Sequence, residues 1–205
     1  MNRNTLFALI VACSSTAAVA AAPGWYAGVA AGQAQTHFTG QGQLFYDAGA
    51  KVYDYSAAQK LYAGYAFSQS MSAELSVFKL GHSRFSGTSS AAPAQDRFGA
   101  KGLSLAAVAE LPLNDQLALF GKLGAAVVTT NYTCVVNCSA LQNNDHRGIY
   151  ANYGVGARYA LTPALSLRAE FERFDGMKYE TGGGSGRAHF RSDTDFLSLG
   201  LQYGF

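Results

Sequence analysis

Residues 195–205, which close the chain, read D-F-L-S-L-G-L-Q-Y-G-F. Leu197, Leu199, Leu201, Tyr203 and Phe205 share one parity, while Ser198, Gly200, Gln202 and Gly204 share the other. A period of two puts these sets on opposite faces of a β-strand, one greasy and one polar or small. A strand that finishes on Tyr-x-Phe without a polar tail is ill suited to water. It suits a lipid bilayer, where an outward apolar face meets acyl chains and aromatic side chains sit at the interface. The segment is therefore expected to close a transmembrane β-barrel, and the rest of the chain to repeat its pattern.

A length of 205 residues suits one domain. Charged residues make up only 14%, against 23 glycines, 12 tyrosines and 13 phenylalanines, as expected where lipid faces one side and small side chains the other. A formal charge of +2 with no basic run excludes nucleic acid as the expected partner. The N-terminus reads as an export signal: Arg3 ahead of the apolar run 6–12, then a small-x-small site at Ala18-Val19-Ala20. Residues 1–20 are expected to be cleaved, leaving 21–205 as the barrel domain. The alternative is a lipobox, Ile10-Val11-Ala12-Cys13, with Cys13 as a lipidated N-terminus. Nothing downstream reaches the length of a transmembrane helix, so any crossing is by strands. Cys134 and Cys138, in T-C-V-V-N-C-S, are expected to form a small loop disulfide, as the simplest state of a close pair in an exported chain.

Alternation places strands at 25–32, 53–67, 71–80, 98–111, 116–130, 148–160, 165–174 and 195–205. The stretches 35–52, 81–97, 131–147 and 175–194 are polar and Gly-rich and read as loops, whereas 68–70, 112–115 and 161–164 are short turns. Long and short connections alternate strictly. That points to an all-β, eight-stranded antiparallel up-and-down barrel with four long extracellular loops, three short periplasmic turns and both termini periplasmic.

Six charges within the strands fall on the inward parity: Glu74, Glu110, Lys122, Arg158, Arg168 and Glu170. None interrupts the outward apolar series, where a mid-bilayer Arg or Lys costs roughly 2–4 kcal/mol. Eight strands leave an interior just wide enough for side chains to fill, so these charges are expected to pair with one another. Such a network is either a static plug or a gate whose pairs exchange partners to pass water or small ions.

Four segments together resemble the OmpA-like transmembrane β-barrel family: W-Y-A-G-V-A-A-G (25–32), G-Y-A-F-S-Q-S-M-S-A-E-L (64–75), L-T-P-A-L-S-L-R-A-E-F (161–171) and L-S-L-G-L-Q-Y-G-F (197–205). The resemblance implies that Glu74 pairs with Arg168 inside the barrel. Arg158 stands where the family has an acidic residue and Val108 near its basic one, so a family-style charge swap is not implied. Larger members of the family carry a periplasmic peptidoglycan-binding domain, which is expected to be absent here. The resemblance also makes Tyr203 and Phe205 the signal read by the outer-membrane barrel assembly machinery.

Some eight-stranded barrels modify lipid, which requires a serine, a histidine and an acid within hydrogen-bond reach. His82 with Ser83 and His189 with Ser192 are the nearest candidates, and both lie in or beside loops, so no catalytic site is expected. Each long loop carries one histidine (His37, His82, His146, His189), a weak candidate set for a metal at the mouth. No cofactor is expected. The reading is a monomeric outer-membrane scaffold, embedded among outer-membrane lipid and lipopolysaccharide, whose loops meet a host or surface ligand. The alternative is a small passive porin-like channel gated by interior ion pairs.

Overall fold

A computed structural model describes residues 23–39, 51–89, 92–136, 144–181 and 188–205. They form β1 (Gly24–Thr39), β2 (Lys51–Tyr53), β3 (Tyr55–Ala66), β4 (Met71–Ser89), β5 (Ala92–Pro112), β6 (Leu117–Val136), β7 (Asn144–Ala160), β8 (Leu165–Thr181) and β9 (Ala188–Gly204). β2 and β3 both pair with β4 and act as one wall strand interrupted at Asp54. All pairings are antiparallel. β1 joins β9 and β4 joins β5, so eight wall strands close into an up-and-down barrel. Closure satisfies every strand edge, which is what lets a sheet cross a membrane.

Three tight turns gather at one end, the periplasmic end in barrels of this build. Phe67 N–H donates to Met71 O, Leu113 N–H to Leu117 O and Leu161 N–H to Leu165 O, at 2.9, 2.8 and 2.8 Å. Asn114 Oδ1 accepts from the amides of Gln116 and Leu117, and Thr162 Oγ1 accepts from Leu165 N–H. These side chains set the turn geometry locally, as Asx and ST turns do. Around the same end runs an outward aromatic belt: Trp25 packs on Tyr65 at 5.1 Å, Tyr65 on Phe67 at 5.5 Å and Tyr203 on Phe205 at 5.2 Å. Above it Val29, Leu61, Leu75, Val77, Leu103, Leu105, Leu123, Val155, Leu199 and Leu201 are all exposed. An exposed apolar surface of that extent is a lipid-facing one.

The strands run much further than the expected boundaries. β4, β5 and β6 hold 19, 21 and 20 residues, whereas a tilted strand needs about 9–11 to cross a bilayer. The stretches 81–97, 131–147 and 175–194, expected as loops, are therefore mostly strand: 81–89 with 92–97, 131–136 with 144–147, and 175–181 with 188–194. For 81–97 and 175–194 the cause is a change of phase. Gly81 and Gly176 hold positive φ (73° and 66°) at bulges, and across each the inward parity switches. On β8 Phe174 points inward and so do Met177 and Tyr179, so one fixed parity loses the pattern at the bulge. The strand extensions carry their own apolar core on the extracellular side: Phe78 meets Phe174 at 4.5 Å, and Phe98 meets Tyr132 at 5.1 Å and Tyr179 at 5.6 Å. Leu80, Val128, Met177 and Phe196 are buried among them.

Candidate functional site

Beneath this apolar cap the lumen holds six buried charges. Glu74 comes from β4, Lys60 from β3 and Lys122 from β6. Arg168, Glu170 and Glu172 come from alternate positions of β8, so the pleat aims all three inward. Lys60 Nζ lies 2.9 Å from Glu170 Oε1 and 2.9 Å from Glu172 Oε2. Lys122 Nζ lies 3.3 Å from Glu74 Oε1, 3.0 Å from Glu170 Oε1 and 2.8 Å from Glu172 Oε1. Arg168 reaches Glu74 Oε2 with Nη1 at 2.6 Å and Glu170 Oε2 with Nη2 at 3.1 Å. Three cations face three carboxylates, so the set is neutral as a whole. Burying charge is tolerable only with this degree of pairing. Tyr26 Oη donates to Glu74 Oε2 and Asn152 Nδ2 to Glu172 Oε1, at 3.3 and 2.8 Å.

Two rings hold the guanidinium in place. Arg168 Cζ sits 4.7 Å from the centroid of Tyr62 and 4.2 Å from that of Phe120, a cation–π contact on each. Each ring lies over a glycine of the facing strand. A Cβ on Gly28 would collide with Tyr62 Cζ, and one on Gly156 with Phe120 Cζ. The glycines thus serve close approach of aromatic rings to the wall.

Of the expected interior charges, Glu74, Lys122, Arg168 and Glu170 meet in this cluster. Glu110 and Arg158 do not. They form a separate pair, 2.8 Å apart, at the periplasmic mouth. Around them opens a cavity of about 350 Å³ that Tyr26, Ser72, Ser166 and Gln202 also line. Lys60 and Glu172 belong to the cluster and were not among the charges expected inside. Their parity marks them, since Lys60 alternates with Ala58 and Tyr62, and Glu172 with Arg168 and Glu170. Polar Gln59 and charged Arg173 beside them blur the outward series.

The histidines stand on four different strands. His37 Nε2 lies 3.3 Å from Asp195 Oδ2 on the outer wall, His82 faces outward from β4, and His146 is on β7. The side chain of His189 lies outside the described residues, as do those of Cys134 and Cys138 and the whole of residues 1–22 with Cys13. No group of three metal-ligating side chains occurs among the described residues. Ser83 points into the wall and is buried whereas His82 points out, so that pair does not meet. On the extracellular outer wall Arg173 bridges Asp193 at 3.1 Å and Asp195 at 3.5 Å. Asp193 also accepts from Gly176 N–H at 2.9 Å, which ties down the β8 bulge. Partial burial pushes the Asp193 carboxyl up, but the Gly176 amide and Arg173 outweigh it and hold it below its ordinary value.

A family model described as the OmpA-like transmembrane domain matches residues 20–205. The chain belongs to that family. Among relatives, Outer membrane protein A of Serratia marcescens is 29% identical over 215 residues, covering 99% of this chain and 56% of the relative. That of Salmonella typhi is 26% identical over 207 residues, covering 99% and 55%. The chain thus spans about half the length of these OmpA-like relatives. Two solved barrels share the fold. Neisserial surface protein A aligns with TM-score 0.55 and 14% identity, covering 88% of this chain and 97% of that one. OprG from Pseudomonas aeruginosa aligns with TM-score 0.57 and 16% identity, covering 91% and 99%. Like its OmpA-like kin, this chain is an integral β-barrel of the outer membrane.

Proposed function

We propose that the barrel is a closed, non-catalytic scaffold that carries an interaction surface beyond the outer membrane. The observation that carries this reading is the double seal of the lumen. A neutral charge cluster fills its middle, and a buried aromatic core closes it above. Water entering at the Glu110–Arg158 mouth meets the charges first and the apolar core behind them. A gate built on ion-pair exchange alone leaves that core in the path, so the channel reading is not favoured.

The same core stiffens the strands past the lipid. Loops mounted on a packed, rigid stalk are suited to presenting a surface to a host or environmental ligand. Residues 1–20 act as the export signal, Cys134 and Cys138 clasp the third extracellular connection, and Tyr203 and Phe205 address the barrel assembly machinery. The protein acts as a monomer without a cofactor.

Single-channel recording in planar bilayers tests the scaffold reading. Wild type, Glu74→Ala, Arg168→Ala and Phe78→Ala/Phe174→Ala are each expected to stay at background conductance. Only a variant that opens both layers, Glu74→Ala with Phe78→Ala/Phe174→Ala, is expected to conduct. Regular openings of the wild-type barrel would sink the reading.

A further inference from the structure

The outer wall is not uniform around the barrel. On the β8–β9–β1 side the rim cations are neutralised by neighbours: Arg173 by Asp193 and Asp195, Arg191 by Asp175, and Asp195 also meets His37. On the β4–β5 side they are not. The outward rungs of this pair run Met71↔Ala109, Ala73↔Ala107, Leu75↔Leu105 and Val77↔Leu103, and then turn cationic at Lys79↔Lys101 and Arg84↔Arg97. Like charges directly opposite across a ladder repel, and none of these four makes an ion pair among the described residues. From Met71 to Lys79 the strand climbs roughly 20 Å along the membrane normal at a tilt of about 40°. The change of chemistry therefore falls where acyl chains give way to head groups.

Two hollows meet at Lys79, on the β4 edge of this side, and extend over β3 and β1. Because the β3–β4 ladder stops at Gln59↔Lys79 and β4 then pairs with β2, the wall is indented around Gly81. The indentation is a hollow of about 940 Å³ lined by Tyr55, Gln59, Lys79, His82 and Arg84. Below it lies an apolar groove of about 690 Å³ between Leu61 and Val77 on one bank and Leu199 and Leu201 on the other. Ala31, Gln59 and Lys79 line both. The small side chain of Ala31 leaves the groove its depth between these longer banks. The neighbouring cations are felt at His82, whose imidazole is pushed down by burial first and then by Lys79, Arg97 and Arg84.

We propose that this pair of hollows is a binding site for one phosphorylated, acylated lipid of the outer leaflet, with its phosphate between Lys79 and Arg84 and an acyl chain in the groove over Ala31. Arg and Lys are the natural partners of a phosphate, and long cationic side chains reach a head group while their stems stay on apolar surface. A lipid phosphate would also relieve the two like-charge rungs. The site rests on the outer-membrane placement of the barrel, and is independent of what the loops bind and of whether the lumen conducts.

Native mass spectrometry of the full barrel released from phosphatidylcholine nanodiscs tests it, with three probes: bisphosphorylated hexa-acyl lipid A, the same lipid dephosphorylated, and inorganic phosphate. Wild type is expected to keep one bisphosphorylated lipid through release, and to keep it in the presence of excess inorganic phosphate. Lys79→Gln/Arg84→Gln and Ala31→Leu are each expected to lower retention at least tenfold, while Arg173→Gln, on β8 and outside both hollows, leaves it unchanged. Equal retention by either site variant, equal retention of the dephosphorylated lipid, or displacement by inorganic phosphate overturns the proposal. The second readout needs no variant. His82 of the wild-type barrel, followed by NMR, is expected to titrate at higher pH once the lipid is added, because a bound phosphate offsets the cations around it. An unmoved His82 titration overturns the proposal as well.

Discussion

Arg168 Nη1 stands 2.6 Å from Glu74 Oε2, and the strands that carry these residues, β8 and β4, lie on opposite sides of the eight-stranded ring. The contact is a brace across the full diameter of the barrel. Neighbouring strands are already held by their ladders, whereas opposite walls meet only through side chains, so this contact ties the two walls together across a bore that strand number and stagger fix.

Removing one member of the cluster leaves a buried charge without a partner, which destabilises by about 3–5 kcal/mol. Glu74→Gln is expected to fall in that range when the folded barrel is unfolded with urea in lipid vesicles. Adding Lys122→Met restores neutrality, because Lys60 and Arg168 then face Glu170 and Glu172 alone. The double variant should recover more than half of the loss. If it is less stable than Glu74→Gln, charge balance is not what the cluster enforces.

The rings on either side of Arg168 depend on two glycines. Gly28→Ala and Gly156→Ala each force a ring off its seat, and overpacking of this kind costs about 1–3 kcal/mol. Gly121→Ala is the matched control, since no atom lies closer than 4.0 Å to a Cβ built there. Urea midpoints should fall for the first two and hold for the third.

Acid should loosen the β8 bulge. Asp193 is held below its ordinary value in the folded barrel, so its contribution is fully present above the unfolded carboxyl pKa of about 3.9 and is lost as pH falls through the lower, folded value. Amide exchange at Gly176, which donates to Asp193, is expected to accelerate in that acid window. In Asp193→Asn the exchange should already be faster at neutral pH and show no such step.

Phe205 is 81% exposed, packs edge-on against Tyr203 and donates its amide to Trp25 O at 2.9 Å. An aromatic side chain so exposed contributes little packing, yet it is well placed to be recognised. Phe205→Ala is expected to reduce outer-membrane yield several-fold while leaving the urea midpoint of inserted barrel within about 0.5 kcal/mol of wild type. Unchanged yield would remove the assembly role.

The barrel itself was legible because lipid outside and a filled lumen inside impose one parity over each membrane segment. Leu75 and Glu74 are adjacent, and their opposite fates follow from the pleat alone. The parity fails where the chain breaks step. Past Gly81 and Gly176 the inward residues change phase, so Met177 and Tyr179 look like scattered apolar residues in a polar loop although they are core. Lys60 and Glu172 were hidden for another reason. Near the outer rim the outward face turns polar, as at Gln59 and Arg173, and an inward charge no longer stands out against it. Which charges meet is a property of the ring's circumference. Glu110 and Arg158 share the inward parity with the cluster but sit too near the mouth to join it.

The composition of the charge cluster bears on how such a barrel can be assembled. Lys60, Glu74 and Lys122 belong to the first five of the eight wall strands and together carry one excess positive charge, whereas Arg168, Glu170 and Glu172 on β8 carry one excess negative charge. Within the cluster, a sheet that has inserted through β6 carries one unmatched positive charge, and only the arrival of β8 cancels it. Intermediates that stop short of ring closure are thereby penalised, so insertion and closure are expected to be a single concerted event.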